Sequence, residues 1–538
     1  MSNYSLVPDT SRTAPIVDIW LPTAKPELVG MYASSWVPLS HRRRLASYKL
    51  LSAIYNNAHK CFLQRGEEIL EYGDAALVVE TLRDALIGST GIKIIVDNIE
   101  NDAIGKKKVD RLRKWWKDEL MDTKLFENET NCSSLGDSVY RLRWSTKNPR
   151  KPTVKVDTFD PGFFFPDFDE DGDLEKVHLA WEEVVIDDAG NEVTYVYKET
   201  YELINGICHV TAGWYDPQRD DNVSDLEYSL NYLKLVKYKT DVDGNPYDRL
   251  SLQIDFIPIV YVPNISVQGE PFGKSDLSIV IDLLAEMANT NTDMAANTSI
   301  LGSPPMVIQS ENVVGADDGM GASQVATVGP GQTIEVGANG DAHLLDVSGM
   351  NTALDSYLKK LDQKLYENTR ATKLAAGKME GSAIPSGISL RLMQNPLVQK
   401  TLPKRILRSY KVGLMLKFVQ KMFLAFGIPQ DRECFTADEY DVIVEFGDIF
   451  PTDRSQAIND LAVAYAAGFM SLDVAVSMCQ KYGVDIDSVK DEVEKIKKER
   501  EELNTYINVG SSGSSDGTQS GNMQTTSDGM SKSDNTQE

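Results

Sequence analysis

Carboxylates alternate at Asp167, Asp169 and Asp171 ahead of Gly172, a spacing that a hard divalent cation can use. They match positions 1, 3, 5 and 6 of a calcium-binding loop, where alternate side chains turn inward and glycine permits the sharp bend. Position 12 is His178 rather than a bidentate glutamate, and the flanking Phe163-Phe-Phe-Pro and Val184-Val-Ile read as strand rather than helix. The spacing predicts an acidic turn between strands, with a calcium site at Asp167, Asp169 and Asp171 left open as the alternative. Gly269-Glu-Pro-Phe-Gly273-Lys274-Ser275 has the look of a phosphate loop, but only three residues separate its glycines and Pro271 stiffens the turn. Histidines 41, 59, 178, 209 and 343 form no zinc-binding spacing, and the five cysteines form no CxxC pair. No GxSxG elbow or Cys/His constellation is present, so no enzymatic step can be argued and neither a metal nor a cofactor is indicated.

A second constellation is cationic. Residues 381 to 430 hold eight bases and no acid: Arg391, Lys400, Lys404, Arg405, Arg408, Lys411, Lys417 and Lys421. Lys400, Lys404, Arg408 and Lys411 share one face at helical spacing, opposite Leu407, Leu414 and Phe418. A solvated face, ion pairs between subunits, a DNA-facing surface and an anionic lipid surface are all open readings of that row.

The whole chain argues against tight binding to phosphate. It has 80 acidic and 55 basic side chains, a net charge of −25, and 42% apolar residues. Such an excess opposes DNA and anionic lipid, because neutralising phosphates with cations is the main source of sequence-independent affinity. Residues 157 to 192 alone carry thirteen acids against Lys176. An odd, scattered set of cysteines suits a reducing compartment. With no apolar run long enough to cross a membrane and no export signal at MSNYSLVPDTSRTAP, the expectation is a soluble, unexported protein of several compact units.

The elements that must carry these residues follow from periodicity. The first 40 residues, rich in Pro, Ser and Thr and bearing Trp20 and Trp36, read as an extended arm that docks its aromatics on a neighbouring subunit. Helical spacing covers about 42 to 87 and 109 to 120. Short alternating runs from about 138 to 261, including Thr153-Val-Lys-Val, Val193-Thr-Tyr-Val-Tyr and Leu252-Gln-Ile-Asp-Phe, predict strands and tight turns. A helix over about 275 to 299, with Ser275 as its N-cap, and another over 352 to 375 flank a Gly-rich stretch with short Val-containing runs. Residues 376 to 387 contain three glycines and a proline and form a loop. Beyond them one long bent helix is expected over 388 to 426, through Pro396 and Pro403, and then the strand Tyr440-Asp-Val-Ile-Val-Glu-Phe and three helices to about Tyr506. The Ser, Gly, Gln and Asp tail from 509 has almost nothing to bury.

This order resembles the portal proteins of tailed bacteriophages. Phe165-Pro-Asp-Phe-Asp looks like the turn before the acidic hairpin of the wing, and Phe272-Gly-Lys-Ser-Asp-Leu like the entry to the first stem helix. Ser386-Gly-Ile-Ser-Leu-Arg-Leu with the basic helix after it looks like the segment following the tunnel loop, and Met470-Ser-Leu-Asp-Val-Ala like the crown. The resemblance covers roughly residues 40 to 505.

It implies an α+β portal fold with a mixed α/β wing, two-helix stem, small β clip, long kinked helix and helical crown. In this chain the arm would be 1–40, the wing 41–270, the first stem helix 271–299, the clip 300–351 and the second stem helix 352–375. The tunnel loop would be 376–387, the long helix and wing return strand 388–450, the crown 451–508 and the tail 509–538. The resemblance further implies a dodecameric ring at one capsid vertex, assembled in the host cytoplasm, that passes double-stranded DNA inward on packaging and outward on ejection. Major capsid protein, terminase large subunit and a head-to-tail adaptor would be its partners, with no membrane involved. Lys378, Met379, Glu380 and Ser382 would project toward DNA. The alternative is a DNA-binding structural protein using the basic helix, 391–421.

Overall fold

The computed structural model describes residues 35–511 apart from 58–69, 71, 89–90, 96–102, 149, 171, 187–189, 219–222, 225–227, 241–243, 303–305, 310–340, 345–347, 378–388, 390–391, 436–441, 448, 450–453, 483, 485 and 487. It is a mixed α and β protein in two compact units that divide after Phe450. Most of the first 40 residues, the tail from 512, most of the stretch between the two central helices and most of the predicted loop lie outside the described residues.

The first unit opens on α1 (Leu39–Tyr55), α2 (Asp74–Ile87), β1 (Ile92–Ile95), α3 (Ala103–Asp118) and α4 (Met121–Leu135). The expected helical span from 42 to 87 is thus two helices, and Gly73, at φ +82°, sets the entry to the second. Helix α4 was not predicted. Its inward face mixes Met121, Leu125, Cys132 and Leu135 with Asn128, Glu129, Ser133 and Ser134, which dilutes the apolar periodicity that would have revealed it.

Strands β2 (Asp137–Ser145), β3 (Thr153–Phe159), β4 (Phe164–Phe168), β5 (Leu174–Ile186), β6 (Glu192–Ile204), β7 (Ile207–Tyr215), β8 (Leu235–Tyr238), β9 (Leu250–Ser251) and β10 (Ile259–Pro263) follow. They form an antiparallel sheet of order β10-β2-β3 and another of order β4-β5-β6-β7-β8, with β9 on β7. Because side chains alternate across a strand, the larger sheet serves two cores. Phe165, Ala180 and Val196 join α1 and α2 on one side, while Phe164, Val177 and Leu179 join α4, β2 and β10 on the other. The expected strand over Leu252-Gln-Ile-Asp-Phe is absent: Gln253 sits at φ +54°, and Leu252 instead donates its amide to the Cys208 carbonyl.

Next come α5 (Ile281–Gly302), β11 (Met306–Gln309), β12 (Asp341–Leu344) and α6 (Ser348–Thr369). The strands pair antiparallel and the helices pack on each other, so the chain goes out on one helix and returns on the next. A single 3-10 turn, Leu277–Ile279, precedes α5, so Ser275 does not cap the helix; its hydroxyl accepts from the Leu277 amide at 3.0 Å at the start of that turn.

Helix α7 runs Asn395–Phe426 with Pro396 in its first turn. The expectation of one helix through both prolines therefore fails at Pro396, which starts the helix, where its missing N–H costs nothing; only Pro403 lies inside. Strand β13 (Ile443–Phe446) pairs antiparallel with β1, bringing distant parts of the chain together. In the second unit, α8 (Arg454–Ala466), α9 (Leu472–Lys481) and α10 (Val489–Ser511) are joined by turns at Gly468, at φ +77°, and near Tyr482.

Trp36 corrects another expectation. It is fully buried in its own chain, its indole N–H 2.8 Å from Glu182 Oε1 and its ring edge-on to Phe165 at 6.0 Å. It therefore does not anchor a neighbour; Trp20 lies outside the described residues.

Candidate functional site: a buried charge junction

The segment 271–276 is wedged between the end of α4 and the end of β10. Asn264 donates its amide to the Gly136 carbonyl at 2.8 Å, and Gly273 donates its own to Asp137 Oδ1 at 2.7 Å. A Cβ on Gly273 would lie 2.3 Å from the Gly136 carbonyl oxygen, and one on Gly136 would lie 2.8 Å from that of Gly273. Two backbones thus touch where only glycine fits.

Asp137 is buried beneath this wedge and accepts from the Tyr48 and Tyr261 hydroxyls as well as from Gly273. Burial raises its carboxyl above the usual range, against the pull of those hydrogen bonds. Arg44 lies across the same cluster. It donates to the Pro161 and Phe164 carbonyls at 2.7 and 2.8 Å and stacks its guanidinium 4.4 Å from the Phe272 ring.

One turn further, Asp276 is wholly buried. It accepts from Ser133 Oγ at 2.8 Å, from Asn264 Nδ2 at 3.0 Å and from Lys404 Nζ, and Lys400 Nζ lies 3.1 Å from its other oxygen. Burial works against its charge, but the Lys404 and Lys400 ammonium groups outweigh it and hold the carboxyl well below the usual range. Arg408 is equally buried and grips Glu129 with two parallel bonds of 2.9 and 3.0 Å. Its remaining donors reach the Pro263 carbonyl at 2.7 Å and Asn264 Oδ1 at 3.1 Å. Cys132 adjoins this pair, and burial pushes its thiol up to about 12.

These contacts settle where the basic row points. Lys400, Lys404 and Arg408 face inward onto carboxylates of their own chain, and Arg405 donates to the Leu86 and Ala85 carbonyls at 2.9 and 3.1 Å, closing the C-terminus of α2. The open readings of a solvated face, an inter-subunit pairing face and a DNA face do not fit these buried residues. Lys411 is half-buried, and burial lowers its ammonium with Asp173 acting in the opposite sense. Arg391 lies outside the described residues. Here the helix turns Lys404 and Arg408 inward while Ile406 and Tyr410 stand 68% and 65% exposed, and farther along it buries Val412, Met415, Leu416, Val419 and Phe423.

The acidic turn closes on itself. Asp169 accepts from the Asp173 amide at 2.8 Å and donates its own amide to the Asp173 carbonyl at 2.9 Å, with Gly172 at φ +85°. Asp167 lies exposed on β4 opposite Lys176, its carboxyl raised by partial desolvation. Among the described residues no group of three His, Cys, Asp or Glu is placed to hold a metal; Asp171 lies outside them. Lys378, Met379, Glu380 and Ser382 also lie outside the described residues. Glu129, Asp137 and Asn264 were not legible in the sequence, and Asp276 was visible there only as part of Phe272-Gly-Lys-Ser-Asp-Leu and not as a partner of the lysines, although an eight-base stretch without an acid already signals that carboxylates must come from elsewhere.

At this junction the ionisable groups tie elements together, as suits a structural protein. Comparison with known families agrees: the model of the family described as phage portal protein, SPP1 Gp6-like, matches residues 41–506, and the chain belongs to that family. Portal proteins are structural proteins of the phage head. No curated protein matches this sequence. Among the described residues no helix is long and apolar enough to cross a membrane.

Proposed function

We propose that the chain is the subunit of a twelve-membered ring at one capsid vertex, the channel through which double-stranded DNA enters on packaging and leaves on ejection. The family match over residues 41–506 carries this reading. The helix pair α5 and α6, with the paired strands β11 and β12 at its far end, suits the stem and clip of such a ring. The clip would take the terminase large subunit during packaging and the head-to-tail adaptor afterwards, while the wing would meet the major capsid protein. Residues 451–508 would form the crown.

The charge junction fits a mechanical role. Asp276 and its lysines fix the entry to α5 onto α7, so these two helices share one rigid base. Net charge supports a conduit as well. Each phosphate that a wall neutralises deepens the well DNA must leave, and a chain at −25 avoids that. DNA binding by the basic helix has no support, because Lys404 and Arg408 are buried and paired.

In the channel reading Lys378, Met379, Glu380 and Ser382 meet DNA. Replacing Lys378 or Glu380 is expected to alter packaging or DNA retention while rings still assemble, as seen by negative-stain microscopy. Loss of the ring in those variants counts against a channel-facing loop.

A further inference from the structure

Strands β5 and β6 outlast their sheet. Strand β4 pairs with β5 only as far as Leu179, and β7 pairs with β6 only from Val196, so the end that spans Glu182 to Ile186 and Glu192 to Tyr195 is a ribbon of two strands. On one face of it Val184 is 62% and Ile186 71% exposed, with Thr194 and Glu192 as their cross-strand partners. An aliphatic pair at the end of a protruding ribbon is what an interface would cover.

Near the other end of the same strands lies a cavity of about 630 Å³. Arg141, Arg143 and Lys239 line it against one carboxylate, Glu199, with Trp144 and Tyr247 among its walls. Arg141 Nε is buried there without a hydrogen-bond partner, although the other guanidinium nitrogens hold Glu199 and Asp157. Arg143 is held by Asp157 and Lys239 by Glu199, so three cations meet two carboxylates, and one surplus positive charge beside apolar walls suits an apolar segment that carries a carboxylate. The ribbon cannot fill its own cavity: Glu192 and Glu199 are seven residues apart on one laddered strand, about 23 Å at roughly 3.3 Å per residue.

We propose that the β5–β6 end of one copy seats in the Arg141 and Lys239 cavity of the next, with Val184 and Ile186 against its walls and Glu192 facing its cations. Two different patches meet, so the contact is heterologous and repeats from copy to copy until a ring closes. It rests on the ring reading above and names the surface by which the ring would hold together.

The test uses the full-length chain. Ile186→Cys and Gln253→Cys are made singly, mixed during assembly and oxidised; a disulfide-linked dimer is expected in the mixture and in neither variant alone. The double variant is expected to give a ladder of linked chains. Rings of normal mass with no linkage in the mixture, or linkage within single chains of the double variant, overturn the contact and leave the ring reading standing. A wild-type chain that forms no ring brings down both. Separately, Ile186→Arg, at an exposed site, is expected to raise the concentration needed for assembly about tenfold with an unchanged melting temperature; unchanged assembly contradicts the proposal.

Discussion

Asp276, Lys404, Arg408 and Glu129 carry most of what the structure adds at the scale of single residues. Removing one member of a buried pair strands the other, so Arg408→Met is expected to cost about 3–5 kcal/mol in denaturant unfolding, and Arg408→Met with Glu129→Leu to recover much of that loss. Acid gives an independent handle. The folded pKa of Asp276 is depressed, so its stabilisation is complete above the unfolded carboxylate range near pH 4 and drains as pH falls below it. Asp276→Asn should flatten that part of the stability curve. His178 acts higher up. Burial, with Lys198 and Lys176 adding to it, lowers its pKa to about 3, so between the unfolded value of about 6.5 and that value the unfolded chain binds the extra proton. Stability then falls with acid by about 1.4 kcal/mol per pH unit from this one group, a slope that His178→Gln should remove; an unchanged profile contradicts the assignment. The spacing of the basic row was legible in the sequence, but its direction was not. Periodicity identifies a face without saying what covers it, and the partners lie 128 and 279 positions away.

Among the elements, the wedge of 271–276 against Gly136 is the joint on which α5 depends. Gly273→Ala places a methyl carbon against backbone that cannot yield, with an expected cost of about 2–4 kcal/mol, whereas Gly349→Ala, which meets open space, should change stability by less than about 1 kcal/mol. Similar melting temperatures for the two variants would contradict a rigid joint. Much of this level could be read in advance where apolar periodicity is strong, as in β5, β6 and α7. Helix α4 escaped because half of the side chains it buries are polar, and the Leu252 run escaped because its alternating pattern meets a backbone turned back at Gln253. Pro396 misled for a related reason: a proline reads as an interruption until the helix start is known, and here it is the start.

For the whole molecule, element order was the legible feature, and it led to the family that the comparison then matched. Charge was informative but coarse. The net −25 concealed that three of the eight bases, Lys400, Lys404 and Arg408, are held by internal carboxylates, leaving less free cationic surface than the sequence suggested. The full chain should accordingly bind duplex DNA weakly at physiological salt; micromolar or tighter binding with a steep salt slope would favour a DNA-binding protein instead. The central claim is that many copies close around a channel. Mass measurement of the purified full-length chain, combined with electron microscopy, tests it most directly: the expected result is a closed ring of about twelve subunits with a central opening, and a monomer or dimer under every condition would contradict it.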